Sequence, residues 1–478
     1  MSAARTTESR FLSSALAAYG SQIGRTALRL VTDLTLARLV LDEYHGLFDL
    51  AFAAVVIAGI VRDLGLPYQL VRDEREPYGT VFAWTSGAGL LLAGALAAAS
   101  PLFAGLDPRL PLVVAGLSPL LFLEGVSVAP RVFFERRLEV GRLVVPELAR
   151  GAVLAAVAIA LAALGWGVWA FVAGELAGMA VFSALLWLRA WRRMPRRLEL
   201  PLLADMMRRS RYLFAVAMCA FALPFIERYV MAPFVSIAMV AQFGKARYFG
   251  QKVQVLLVPA VQRVLYPALV ELRLHPKRAF GAFRVGTVTI LAFEALAAWF
   301  FFFNARTVVL DLLWGEQWEA AVPLLRILAF LPLVNPMSRL GGEVLKVRGE
   351  DRLWLIIVAL DLASLLGFGI LLASRWGAAG MAAAEFLLLG NLLMTWRIAR
   401  ILGRDFRRLA ADLAFVYLVP AVPFLPVLWL FPEEGWGRFA ASMAAGAVGA
   451  LLLAARFQRP FRAWFSGDGA GGGEGAAA

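Results

Sequence analysis

Three ionisable residues at helical spacing stand inside an apolar run near the start of the chain. They are Arg25, Arg29 and Asp33, within GSQIGRTALRLVTDLTLARLV at residues 20–40. At about 100° per residue they fall within roughly 80° of arc and form one charged stripe. The chemistry open to such a stripe is binding, because guanidinium groups hold phosphate and pyrophosphate strongly once desolvated. In hydrocarbon each charge costs on the order of 2.5–3.5 kcal/mol at the bilayer centre. The stripe therefore faces other helices or water and marks a polar pathway inside a membrane bundle. A second concentration lies near mid-chain, where GKARYFGQK supplies Lys245, Arg247, Gln251 and Lys252. Lys245 and Lys252 are two helical turns apart and share a face.

Further ionisable residues punctuate the apolar segments: Arg62, Asp63, Glu124, Glu147, Arg150, Glu175, the adjacent Glu227 and Arg228, Glu294, Arg326, Asp361, Glu385 and Asp412. Two readings stand side by side. In one, Arg25 and Arg29 face Lys245 and Lys252 across a cationic cavity, with Asp33, Arg62, Glu227, Arg228, Arg247 and Gln251 completing the binding surface. Asp63, Glu175 and Glu385 are then the ion-coupling candidates; Glu294, Asp361 and Asp412 could carry protons. In the other, these charges pair within their own half of the chain, Asp33 with an arginine and Glu227 with Arg228, and only fix packing.

The elements that must position these groups are membrane helices. The chain has 478 residues, 61% hydrophobic and 17% charged, against about 45–50% apolar and about 25% charged in soluble domains. The apolar segments run near 20 residues without alternation, which argues for helices and against a strand barrel. Fourteen spans are expected, at roughly 11–39, 46–70, 78–104, 109–132, 143–164, 166–190, 211–233, 236–268, 279–304, 321–345, 352–374, 376–399, 411–431 and 437–456. Pro224, Pro259, Pro267, Pro332 and Pro336 predict kinks. No cleavable signal peptide is expected, since the first helix is too long and too charged for one. The single cysteine, Cys219, excludes an internal disulfide and a cysteine metal cluster. The two histidines, His45 and His275, lie far apart, so no metal site is expected.

The net charge of +13 is a topology signal rather than a nucleic-acid one. With the N-terminus inside, one side receives Arg5, Arg10, Arg72, Arg75, Arg131, Arg136, Arg137 and Arg142. The basic Trp191–Arg211 link, Lys346, Arg348, Arg352, and the arginines from Arg397 to Arg408 fall on that same side. The other side receives only Arg109, Arg306, Arg375 and Arg438. The positive-inside rule then puts both termini of a multi-pass membrane protein in the cytoplasm.

An internal repeat organises the spans. Trp166-Gly167 precedes Glu175 at the spacing by which Trp376-Gly377 precedes Glu385, and Gly46–Val71 echoes Gly244–Val270. The expected architecture is all-α: two six-helix lobes at 1–200 and 201–405, related by pseudo-two-fold symmetry about the membrane normal. Two extra helices follow at 406–460, and a low-complexity tail at 461–478 is expected to be disordered. The outer loops, the longest being ARTVVLDLLWGEQWEA, are too short for a catalytic domain. No Walker loop, GxSxG or HExxH is present. The expectation is a transporter with no cofactor, driven by an ion gradient, the membrane potential or the substrate gradient.

Three stretches resemble one family. YHGLFDLAFAAVVIAGIVRDLGLPYQLVR resembles the second helix of polysaccharide transporters, FFERRLEVGRLVVPELARG with GWGVWAFVAGELAG their fifth and sixth, and PLLRILAFLPLVNPMSRLGGEVLKVRGE their tenth. The match, over most of Arg10–Leu402, resembles the Wzx-like oligosaccharide flippase branch of the multidrug/oligosaccharidyl-lipid/polysaccharide (MOP) exporter superfamily. The resemblance implies a V-shaped alternating-access transporter moving undecaprenyl-pyrophosphate-linked glycan to the periplasmic leaflet. It puts the central basic cavity of that family on Arg25, Arg29, Lys245 and Lys252. The implied partners are a polyprenyl-pyrophosphate-linked glycan and membrane lipids, with a polysaccharide polymerase or synthesis complex as a further candidate. A multidrug antiporter of the same superfamily is the alternative, and calls for a net acidic cavity; a membrane enzyme calls for a large outer loop.

Overall fold

The computed structural model describes residues 24–137, 139, 141–195, 197–254, 257–258, 261–262, 265, 269, 276–334 and 336–465. Among these residues there is no strand, and ten helices are long and apolar enough to cross a membrane. An apolar solvent leaves backbone groups no partner outside the segment, which is why the chain is helical nearly throughout. The contacts divide it into Met1–Ala241 and Gln242–Ala478, whereas the sequence reading puts the lobe boundary at 200. The difference lies in the Leu200–Met231 helix, which packs within the first unit.

In the first unit, residues 24–39 are helical. Leu36 and Val40 pack on Ala158, Ala162 and Phe171. The Asp42–Asp63 helix has Asp42 and Glu43 in its first turn and Arg62 in its last, matching the helix dipole at both ends. It stops at Leu64 and Gly65, both at positive φ. Leu66–Arg72 completes the expected second span after that break. The Tyr78–Ala99 and Leu120–Arg136 helices approach unusually closely. A Cβ on Gly89 would lie 2.6 Å from the Leu121 carbonyl oxygen, and one on Gly125 would lie 2.2 Å from that of Thr85. The Thr85 hydroxyl donates to the Gly125 carbonyl at 2.8 Å, a small-residue contact suited to lipid. Gly141–Ala163 and Val168–Ala190 follow. The Leu200–Met231 helix runs through Pro224 and docks on Asp42–Asp63, with Tyr229 Oη donating to the Leu50 carbonyl at 2.6 Å.

In the second unit, Phe283, Leu291 and Ala295 of the Pro276–Arg306 helix share a core with Met394, Leu409, Val416, Leu453 and Phe457. The expected outer loop after Arg306 is folded. Thr307–Leu313 forms a π-helical turn and Glu316–Trp318 a 3-10 turn, and Trp314 and Trp318 are buried at 1% and 0% exposure. Two indoles carry too much apolar surface to be left in water. The expected span at 321–345 is interrupted after Ala321–Leu328 by a turn at Ala329 and Phe330, and helix resumes over Leu331–Val334 and Pro336–Val347. Pro332, which lacks an N–H, lies in the first turn after that interruption. Pro259 and Pro267 lie outside the described residues. Asp351–Ala384 is interrupted at Gly377, and Leu389–Leu402, Asp405–Leu418, Phe424–Leu430 and Trp436–Phe465 complete the unit.

The repeat has a backbone signature. Gly167 has φ 54° and ψ −126°, and Gly377 has φ 56° and ψ −134°. Side-chain-bearing residues avoid this region. The two WG dipeptides therefore make the same sharp break at the same place in each copy. Connectors on the arginine-rich side are tied by carboxylates. Hydrogen bonds from Arg75, Arg193, Arg209 and Arg397 hold Asp73, Glu139, Asp205 and Glu350, respectively, below the usual carboxylate range.

Candidate functional site

The first unit carries its candidates on four helices. Arg25 reaches Glu147 of the Gly141–Ala163 helix, Nη1 to Oε1 at 2.9 Å. Close packing allows this: Leu28 of the same helix lies against Gly151. Arg29, one turn further on, is exposed, and Asp33 is half-buried. Arg62 is buried at 4% exposure and is bound on three sides. Its Nε donates to Asp63 Oδ1 at 2.8 Å, and its Nη1 donates to the Leu121 carbonyl at 2.8 Å and to Glu124 Oε2 at 3.2 Å. Trp84 Nε1 donates to the Arg62 carbonyl at 2.9 Å. The expected ion-coupling residue Asp63 is thus a partner of the expected binding residue Arg62. Glu175 accepts from Arg150 Nη2 at 3.2 Å.

Glu227 is buried at 1% exposure. Its neighbour Arg228 turns toward the Asp42–Asp63 helix. There its Nη1 donates to the Asp49 carbonyl at 3.4 Å and lies 3.7 Å from Asp49 Oδ1. Its guanidinium also stands 5.6 Å over the Phe225 ring. Asp49 is a partner the sequence did not suggest, since its meeting with Arg228 depends on two helices far apart in the chain.

The second unit carries the rest on and after the Ile237–Gly250 helix. Lys245 is buried at 9% exposure, and its Nζ lies 5.5 Å from the Trp318 ring centre and 5.8 Å from that of Trp314. Gln242 Nε2 donates to the Gln317 carbonyl at 2.7 Å and holds this cover in place. The available signal was the W-x3-W spacing of Trp314 and Trp318, which the loop assignment hid. Arg247 Nε donates to both oxygens of Glu385, at 3.0 and 3.2 Å. Glu385 is 1% exposed and Arg247 15%. Two separately expected site residues therefore form one buried pair. The backbone N–H of Gln251 donates to the Arg247 carbonyl at 3.1 Å. Lys252 lies 3.8 Å over the Tyr248 ring and donates to its hydroxyl. A Tyr–Lys pair one helical turn apart was readable from the sequence.

Two acidic residues left without named partners now have them. Asp412, 2% exposed, receives Arg284 Nε at 2.5 Å and lies 3.6 Å from Arg456 Nη2. Asp361 lies against the start of the Leu389–Leu402 helix, where a Cβ on Gly390 would come within 2.5 Å of its Oδ1. One turn away, Ser364 Oγ accepts the Leu389 N–H at 3.2 Å. Asp361 and Ser364 thus sit where a helix N-terminus presents its unsatisfied N–H groups.

The cations and carboxylates fall into two classes. Asp63, Glu124, Glu147, Glu175, Glu385 and Asp412 are each bound by an arginine. Among the described residues Lys252 instead rests on the ring and hydroxyl of Tyr248. Among the described residues no group of acidic, histidine and cysteine side chains could hold a metal ion.

Residues 35–323 match the family described as polysaccharide biosynthesis protein. Over 148 residues the chain is 29% identical to the teichuronic acid biosynthesis protein TuaB of Bacillus subtilis; this covers 29% of the chain and 30% of TuaB. Its fold is similar to that of the lipid II flippase MurJ in an inward closed conformation. The TM-score is 0.71 at 14% identity, over 94% of this chain and 99% of that one. An inward-facing MATE family multidrug transporter of the MOP superfamily gives a TM-score of 0.60 at 15% identity, over 80% and 96% of the two chains. The match over more than half of the sequence, on a fold shared with MOP-superfamily transporters, makes this chain a member of the polysaccharide biosynthesis protein family.

Proposed function

We propose that the protein is a flippase, moving undecaprenyl-pyrophosphate-linked oligosaccharide across the bacterial inner membrane by alternating access. The cargo is a repeat unit of O-antigen, capsule or exopolysaccharide. The single observation that carries this reading is how the described charges within the apolar helices are held. Asp63, Glu124, Glu147, Glu175, Glu385 and Asp412 are bound by arginines, while Lys252 leans on the phenol of Tyr248. A cationic lining suits a diphosphate headgroup and opposes cationic drugs. Membership of a polysaccharide biosynthesis family, and a fold like that of a lipid II flippase, support the same reading.

In this mechanism Arg29, Lys245 and Lys252 attract the diphosphate as the two halves of the transporter alternate. The Arg25, Arg62, Arg150 and Arg247 pairs keep their helices rigid within each half. No bond is made or broken, so no catalytic side chain is required. The test is deletion of the gene in its host. The expected result is loss of surface polysaccharide with lipid-linked glycan trapped on the cytoplasmic leaflet. Normal surface polysaccharide in the deletion strain overturns the proposal. Efflux of cationic dyes that depends on the gene would favour the antiporter instead. Replacing Arg25, Arg29, Lys245 and Lys252 together by alanine should abolish transport with the protein still in the membrane; intact transport would remove the site assignment but leave the function standing.

A further inference from the structure

A cavity of about 570 Å3 opens in the second unit where three helices end together. This is within the range of about 300–1,000 Å3 typical of ligand sites. Phe280 and Phe283 come from the start of the Pro276–Arg306 helix, Val344 from the end of Pro336–Val347, and Ile398 and Leu402 from the end of Leu389–Leu402. Phe283 and Ile398 are buried. One charged residue, Arg348, joins the lining. Arg348 belongs to a cationic cluster. Arg348 Nε meets Glu350 Oε1 at 3.0 Å, and Arg397 holds both oxygens of the same Glu350 at 2.5 and 2.7 Å. Two guanidiniums thus share one carboxylate and leave a net positive charge.

An apolar chamber with a guanidinium mouth at the arginine-rich end of a membrane helix cluster matches one kind of ligand. We propose that this cavity binds an anionic glycerophospholipid of the cytoplasmic leaflet, with an acyl chain in the chamber and its phosphate on Arg348. The site is distinct from Arg25, Arg29, Lys245 and Lys252, and it does not depend on what the protein transports. A zwitterionic lipid offers the same chain but no net charge to the rim, so charge sets the selectivity.

The experiment is native mass spectrometry of the full chain in detergent, titrated with phosphatidylglycerol and phosphatidylcholine of the same chains. Phosphatidylglycerol should bind more tightly. Arg348→Ala should weaken it about five-fold, the worth of one basic contact at an anionic surface, and leave phosphatidylcholine unchanged. Arg348 is 50% exposed, so this variant keeps the fold. Ala279→Phe, which fills the chamber from its wall, should weaken both lipids. Equal binding of the two lipids, or indifference of phosphatidylglycerol to Arg348→Ala, overturns the proposal. So does displacement of phosphatidylglycerol by undecaprenyl phosphate one for one, which would assign the chamber to a polyprenyl tail.

Discussion

Breaking the Arg247–Glu385 pair tests whether it is structural or ion-coupling. Glu385 is 1% exposed and Arg247 15%, so Glu385→Gln leaves a largely buried guanidinium facing an amide. Removing one partner of a buried ion pair costs about 3–5 kcal/mol, because the remaining charge keeps its desolvation penalty. Residual hydration of Arg247 puts the expected cost at the lower end, about 3 kcal/mol. For a unit of this size that corresponds to a loss of about 6–12 °C in melting temperature. Replacing both partners with apolar residues, Arg247→Met with Glu385→Leu, removes the charge and its penalty together and should recover most of that loss. The assay is intrinsic tryptophan fluorescence, with Trp314 and Trp318 buried in the same unit, followed on heating in detergent. An unchanged melting temperature in Glu385→Gln, or a double variant no better than the single one, refutes the reasoning. Transport by the double variant then separates the roles. A folded protein that still transports makes Glu385 a structural partner, whereas a folded but inactive one restores the ion-coupling assignment.

Four other outcomes follow from the geometry. Gly167→Ala and Gly377→Ala should each cost about 1–3 kcal/mol in thermal stability, because both glycines hold the same strained backbone region; unequal effects would break the repeat equivalence. Arginine hydrogen bonds lower the pKa values of Asp73, Glu139, Asp205 and Glu350 on folding, so their contribution is complete above the unfolded value near 4 and lost as pH falls through the folded values. Melting temperature should therefore be flat from about pH 8 to about pH 5 and drop below about pH 4, and a fall already at pH 6 would contradict this. Ser364→Ala should cost about 1 kcal/mol, as for loss of a helix cap, read from the same tryptophan signal. Lys252→Met should abolish transport with little change in melting temperature, whereas Arg62→Met should lower the melting temperature by leaving Asp63 and Glu124 unpaired; the opposite pattern would exchange their roles.

What the sequence disclosed depended on whether a feature is local. Helix existence follows from twenty-residue apolar runs, and the repeat follows from a dipeptide whose glycine must adopt a backbone that other residues avoid. Both are properties of short stretches, and both are legible without coordinates. The charged residues were legible as costly, since the penalty of a charge in lipid depends only on its own segment. Their partners were not. Arg62 meets Glu124, Arg228 meets Asp49, and Arg247 meets Glu385 across helices far apart in the chain, and no spacing encodes those meetings. The loop assigned after Arg306 failed for a related reason. Its polar residues look solvated until Trp314 and Trp318 find a lysine on another helix. Intramembrane charge is therefore a reliable sign that a residue has a polar environment and a poor sign of what that environment is for. An arginine bound to a carboxylate has already spent its charge on packing. A lysine resting on a phenol has not, so the cations that matter for an anionic cargo are those whose neighbours are neutral.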